Sequence, residues 1–285
     1  QKAIFKGDLD KIFNKLNGKD LSYNNLLDVD SAIKLISEFS DPTFAIIKHN
    51  NACGIASSKD SLSSYLLALQ ADPLSAFGGV LISNTKIDYK TSLEVDKLFF
   101  EILIAPEFDK QALDILKSKK NRIILHQKTT NIQNLSYRNI LNGVIQQDQD
   151  NIENNSKNWN LVTNTNANVD KIKDLEFANK IVKHSKSNAI VLVKNKQMIS
   201  SGIGQTSRID ALKFAIGKAK QFKFDIASSS MASDAFFPFP DCVEIASNVG
   251  ISAIVQPGGS VKDDLSIQAC NDKKIAMFFT GLRHF

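Results

Sequence analysis

A short apolar run, Ala45-Ile46-Ile47, climbs out of the Pro42 turn and stops at a cation, an imidazole and two amides: Lys48-His49-Asn50-Asn51, followed by Ala52-Cys53-Gly54. The run reads as a buried strand. Core packing does not ask for Lys-His-Asn-Asn at a strand end, whereas ligands of α/β sheets bind at strand ends. An imidazole can exchange a proton near neutral pH. A neighbouring lysine can hold developing negative charge and depress the imidazole pKa. Gly54 is expected to let the chain turn and a substrate approach the backbone. The plainer alternative makes His49 a packed turn residue and Lys48 a solvated one.

Further apolar runs at 80–82, 101–105, 122–125, 189–193, 226–231, 253–256 and 276–279 read as strands. Helical spacing lies between them, at 58–70 (Leu62, Tyr65, Leu66 and Leu69 on one face), 93–100, 110–119, 175–184, 209–220, 242–248 and 262–272. Such alternation predicts an α/β fold. Leu9, Ile12, Phe13 and Leu16 also have helical spacing, broken by Asn17-Gly18. Asp30 or Ser31 is expected to cap a helix reaching about residue 39. Asn195-Lys196 predicts a hairpin turn. Residues 128–168 are dominated by Asn, Gln and Asp, which predicts a β-containing connection and then a polar linker over 151–168. A first unit over 1–150 and a second over 169–285 follow. The two look alike in their alternation, without a visible residue repeat.

No stretch approaches the ~20 apolar residues of a membrane span, and no signal-peptide pattern is visible. Cys53, Cys242 and Cys270 are odd in number and far apart, without Cys/His ligand spacing. That usage supports neither a disulfide framework nor a zinc site and suits a reducing cytoplasm. A net charge of +5 over 285 residues, with dispersed lysines, is compatible with anionic small molecules and argues weakly for nucleic acid. The chain begins at Gln1 rather than Met, as expected of a piece of a longer protein.

Four further features stand out. Asp72-Pro73-Leu74-Ser75-Ala76-Phe77-Gly78-Gly79 runs into a strand, and its paired glycines predict a positive φ or close backbone approach. Phe77 there suggests a ring laid against something planar. Glu101 sits in an apolar run, where it must face a ligand or pair with a neighbour. Gly202-Ile203-Gly204-Gln205-Thr206-Ser207-Arg208 opens a helix, a weak anion-site pattern without the Walker lysine. Ser233-Asp234-Ala235-Phe236-Phe237-Pro238-Phe239-Pro240-Asp241 makes either a stiff aromatic wall for a flat heterocycle or a hydrophobic plug.

Together KHNNACG, DPLSAFGG, EILIAP, KSNAIV, GQTSR, SDAFFPFPD, QPGGSVKDD and TGLRHF occur in the order found in one family. The chain resembles the formyltransferase (AICAR transformylase) domain of bifunctional purine biosynthesis proteins over nearly its whole length. The resemblance implies two tandem cytidine-deaminase-like subdomains, each a mixed sheet flanked by helices and free of zinc. It implies transfer of a formyl group from 10-formyltetrahydrofolate to the 5-amino group of AICAR, giving FAICAR and tetrahydrofolate in purine (IMP) biosynthesis. It also implies a cytoplasmic homodimer with active sites across the subunit interface, and no nucleic-acid or membrane partner. An IMP cyclohydrolase domain normally precedes this region.

Carried over residue by residue, the resemblance makes His49 and Lys48 the proton-handling pair and Asn188 a hydrogen-bond donor to the formyl oxygen. Phe77, Gly78 and Glu101 line the AICAR pocket, and Arg283 binds the phosphate, where a guanidinium fits bidentately. Arg208, Phe236, Pro238, Phe239 and Asp241 lie on the folate side. Asp234 matches a structural potassium position. Ala52 replaces a common proline, and an arginine-bearing segment expected before Gln1 lies outside the sequence. A fragment that binds nucleotide or folate without efficient turnover is the alternative expectation.

Overall fold

The apolar run before Lys48 is β2 (Thr43–Lys48), in which every residue except Lys48 is buried. β2 turns at once into β3 (Asn51–Ser57), with Lys48 opposite Asn51. His49 and Asn50 form the turn, with φ of +51° and +64°. Positive φ at both central residues is what a tight two-residue hairpin requires, because it matches the twist of the strands. Gly54 is therefore not the turn. It lies inside β3, where an added Cβ would stand 2.0 Å from the Ala68 carbonyl oxygen. Its missing side chain admits the following helix.

A computed structural model describes residues 5–129, 134–152 and 155–284. The first unit runs β1 (Phe13–Asn17), α1 (Tyr23–Ile36), β2, β3, α2 (Ser61–Ala71), α3 (Pro73–Ala76), β4 (Gly79–Ser83), α4 (Tyr89–Val95), β5 (Phe100–Ala105), α5 (Lys110–Leu116) and β6 (Ile123–Gln127). A separate two-stranded sheet follows, β7 (Leu135–Ile140) with β8 (Gly143–Asp148). The second unit runs β9 (Asn160–Leu161), α6 (Val169–Lys183), β10 (Ile190–Lys194), β11 (Gln197–Gly202), α7 (Arg208–Gln221), β12 (Ser230–Ser233), α8 (Asp241–Asn248), β13 (Ala253–Gln256), α9 (Asp263–Asp272) and β14 (Ala276–Phe279).

Among the described residues, both units contribute to one 12-stranded sheet in the order β1-β6-β5-β4-β2-β3-β11-β10-β12-β13-β14-β9. The order reads outward from β3 and β11 in the same way on both sides, and apart from α3 each element of one unit has a counterpart in the other. β4, β5 and β6 are parallel, as are β12, β13 and β14. The fold is thus mixed α/β, a large mixed sheet flanked by helices. The family resemblance implies a sheet in each unit, whereas hydrogen bonding across β3 and β11 joins them into one. The stretch 151–168 is more than a connection, because β9 lies within it and pairs with β14 at the sheet edge.

α1 and α6 cover one face, burying Ile33, Ile36, Leu175 and Ile181 against Ala45, Ile47, Val191 and Val193. On the other face, Tyr65 and Ala68 of α2 pack with Ile46 and Leu81, while Ala211, Leu212 and Ala215 of α7 pack with Ile190 and Leu192. Strands buried on both faces explain the unbroken apolar runs.

Several expectations need correction. Leu9–Lys11 is a single 3-10 turn, and Phe13 to Asn17 form a strand paired with β6. α1 starts earlier than Asp30. Ser22 caps it in a reciprocal box, its hydroxyl accepting from Asn25 N–H and Asn25 Oδ1 accepting from Ser22 N–H. The segment 93–100 is helical only to Val95, since Phe100 opens β5. On α2 the buried face is Ser61, Ser64, Tyr65, Ala68 and Ala71, and Leu66 is exposed.

Candidate functional site

β3 and β11 are antiparallel. One sheet edge therefore carries the His49 turn and the amino ends of β4 and β5 from the first unit. The same edge carries the carboxyl ends of β12, β13 and β14 from the second, the place where α/β sheets bind ligands. Lys48, His49, Phe77, Gly78 and Glu101 of the first unit and Asn188, Phe236 and Arg283 of the second lie along this edge.

At its centre is a cleft of about 240 Å³ between the units. Lys48, His49, Asn51 and Cys53 line one wall, with Asp72 and Ser75. Ser200, Ser201, Gln205, Phe214 and Lys218 line the other. His49 is exposed at the cleft rim. Lys48 reaches across to donate from Nζ to the Phe77 carbonyl at 2.8 Å. A Cβ on Gly78, whose φ is +68°, would stand 3.2 Å from that Nζ, so the glycine gives the lysine room. The Phe77 ring lies 4.9 Å from the Phe99 ring, and both are more than half exposed. Its planar partner in this chain is therefore another aromatic.

Across the cleft, Asn188 donates from Nδ2 to the Gln205 carbonyl at 2.8 Å. Asn51 ties the two walls, donating from Nδ2 to the His49 carbonyl (2.9 Å) and accepting from the Lys186 N–H (3.3 Å). Asp72 and Lys218 form an ion pair between the units. Burial opposes the charge on Asp72, but hydrogen bonds from Lys218 and Ser75 outweigh it and hold its pKa below the ordinary value. The Cys53 thiol is pushed up to about 12, chiefly by burial and then by the Asp72 charge. It is no nucleophile.

The units that build this cleft have clear relatives. A family model described as AICARFT/IMPCHase bienzyme matches residues 1–218. The chain is 56% identical over 286 residues to the bifunctional purine biosynthesis protein PurH of Bacteroides thetaiotaomicron, covering 100% of this chain and 56% of that protein. It is 47% identical over 273 residues to the protein of the same name from Caldicellulosiruptor saccharolyticus, covering 95% of this chain and 52% of that one.

The chain belongs to the AICARFT/IMPCHase bienzyme family.

It spans about half the length of the curated relatives it matches. In this family member the remaining singled-out residues fall into separate groups. Glu101, at the start of β5, pairs with neighbours: its Oε2 accepts from Asn25 Nδ2 at 3.0 Å and lies 3.7 Å from Lys19 Nζ. Arg208 does not face the open edge. Its guanidinium is buried and pairs with Asp234, whose Oδ1 also accepts the Ala189 N–H at 2.9 Å. Asp234 Oδ2 is buried without a hydrogen-bond partner. Among the described residues no group of three or more His, Cys, Asp or Glu side chains could hold a metal ion.

The aromatic wall divides. Phe237 is fully buried, a core plug. Phe236 lies under Arg283, whose Cζ is 4.7 Å from the ring centre. Phe239 and Pro238 are exposed, with Lys262 Nζ 4.3 Å from the Phe239 ring centre. Asp241 starts α8, and its Oδ1 accepts the Cys242 N–H. The helix that Gly202 to Arg208 open has its first turn occupied by its own Ser207 and Asp210. Sequence reasoning gave no role to Asp72, Lys218, Ser200 or Gln205, although Asp72 and Gln205 lie in stretches that stand out; contact between the units brings all four to the cleft.

Proposed function

We propose that this region carries out formyl transfer from 10-formyltetrahydrofolate to the 5-amino group of AICAR, giving FAICAR and tetrahydrofolate. The observation that carries the reading is the Lys48-His49 turn at the rim of a cleft, with the Asn188 segment bonded to its opposite wall. The substrate amine is weakly nucleophilic because its lone pair is delocalised. His49 takes a proton from it as the N–C bond to the formyl carbon forms. Lys48 and Asn188 stabilise the oxyanion of the tetrahedral intermediate. Collapse breaks the bond between the formyl carbon and folate N10, and the departing nitrogen takes up a proton.

Phe77, Gly78 and Glu101 take the aminoimidazole, and Arg283 takes the phosphate. Arg208, Phe236, Pro238, Phe239 and Asp241 form the folate side, Arg208 acting through Asp234 and the strand behind it. Glu101 lies in β5, whereas Arg283 follows β14 and sits over Phe236 beyond the end of β12, six spacings from β5 in the sheet order and on the order of 29 Å along the edge. One nucleotide cannot touch both within one chain. That separation supports a homodimer whose sites combine the Glu101 end of one subunit with the Arg283 end of the other. A potassium ion suits Asp234, whose Oδ2 is an orphaned buried acceptor. The IMP cyclohydrolase region of the parent protein and a cytoplasmic setting complete the proposal.

The test mixes the protein with AICAR and 10-formyltetrahydrofolate and follows tetrahydrofolate, with His49→Ala as control. Turnover that His49→Ala abolishes is the expected result. Turnover unchanged in His49→Ala would remove His49 from the chemistry.

A further inference from the structure

We infer that Asp28 is a positioning residue for His49, an assignment that rests on the proposed transfer. His49 and its neighbour Asn50 both occupy the left-handed region, which L residues rarely adopt. Neither is glycine, so outside hydrogen bonds lower the cost of holding this shape. The Asn50 N–H donates to Asp28 Oδ1 at 2.7 Å. Asp28 lies in α1, and among the described residues it makes no ion pair that would give its carboxylate another task. With Asn51 bonded to the His49 carbonyl from the other side, the backbone carrying the imidazole is fixed at both flanks.

The second unit supplies an internal comparison. Asp174 stands at the same place in α6 as Asp28 does in α1, the sixth residue of each helix. Its carboxylate accepts the Asn195 N–H at 3.0 Å and the Lys196 N–H at 2.7 Å, supporting a turn with φ of +55° and +54°. That turn faces the opposite sheet edge and carries none of the singled-out residues. Its side chains are engaged in bracing: Lys196 Nζ meets Asp41, and Gln197 Nε2 donates to the Leu67 carbonyl. The same aspartate device thus holds one turn for stability and the other for placement of an imidazole.

The test compares Asp28→Ala, Asp28→Asn and Asp174→Ala in the intact chain. Asp28→Ala is expected to lower kcat about 10- to 100-fold, as small misplacements of a reacting group do, with little change in KM. Asp28→Asn keeps an acceptor oxygen and restores most of kcat. Asp174→Ala lowers Tm and leaves kcat unchanged. A folded Asp28→Ala with wild-type kcat, or equal loss of kcat in Asp174→Ala, overturns the assignment. A readout independent of turnover is the His49 ring signal in histidine-labelled protein. It should shift or broaden in Asp28→Ala and not in Asp174→Ala. An unmoved signal overturns the assignment, whereas a signal that shifts in Asp28→Ala, in a protein whose wild type shows no turnover, counts against the proposed reaction alone.

Discussion

Asp72 of the first unit and Lys218 of the second form an ion pair inside the cleft whose rim carries His49. Asp72 is 3% exposed and also caps α3 through the Ser75 N–H. Removing Lys218 leaves a buried carboxylate without its counter-charge. Lys218→Met should therefore cost about 3 kcal/mol in urea unfolding. The double variant Asp72→Asn with Lys218→Met keeps the cap and should recover most of that loss. Equal stability of the single variant and the wild type would show that the pair is solvated.

Cys53 lies in the same cleft, yet its thiol is held protonated by burial and by Asp72. Thiolate is the reactive form. Iodoacetamide at neutral pH should leave Cys53 unmodified in the native protein and label it once the chain is unfolded, as read by peptide mass. Rapid native labelling would contradict the closed hairpin.

Glu38 joins α1 to α6 through Lys183 and His184, each at 2.9 Å. Burial opposes its charge, but the hydrogen bonds from His184 and Lys183 prevail and lower its pKa from 4.5 to about 2. A depressed carboxylate pKa contributes stability that is present above the unfolded value and lost as pH falls through the folded one. The loss should fall between about pH 4.5 and 2. After allowance for partial exposure it amounts to roughly 2 kcal/mol. Glu38→Gln should be less stable than wild type near neutrality and equal to it below that window. A difference that persists in acid would assign the effect to packing.

Gly54 and Gly202 are each pressed by a helix. An added Cβ would lie 2.0 Å from the Ala68 oxygen in one case and 1.9 Å from the Ala211 oxygen in the other. Alanine at either site must push α2 or α7 off the sheet, at a cost of about 3 kcal/mol. Chemical unfolding of each variant measures it, and unchanged midpoints would refute the close approach.

Much of the sheet was legible because its central strands are buried on both faces. The runs ending at Lys48, at 253–256 and at 276–279 leave no polar alternation to confuse them. The first strand was not legible. Leu9, Ile12, Phe13 and Leu16 imitate a helix, and only pairing with β6 over a long sequence separation makes Phe13 to Asn17 extended. Gly54 was misread for a related reason, since a strand glycine and a turn glycine look alike until the helix that presses on it is known. The turn itself carries no glycine, so His49 and Asn50 gave no hairpin signal. Lys48 and His49 were visible as a polar stop to an apolar run, whereas Asn188 was marked only by the family resemblance. The pairing of Lys218 with Asp72 was not visible, because the lysine sits within an ordinary amphipathic helix and the aspartate reads as a helix cap, and each meets the other only across the units.

The antiparallel meeting of β3 and β11 turns the two units to face opposite ways. Identical copies joined like this would offer the same half-site at each sheet edge, neither facing its complement. The edge that carries the His49 turn combines that turn from the first unit with strand-end loops from the second, a pairing that neither unit contains alone. The opposite edge works as a clasp between the units, with Lys196 on Asp41 and Gln197 on the Leu67 carbonyl.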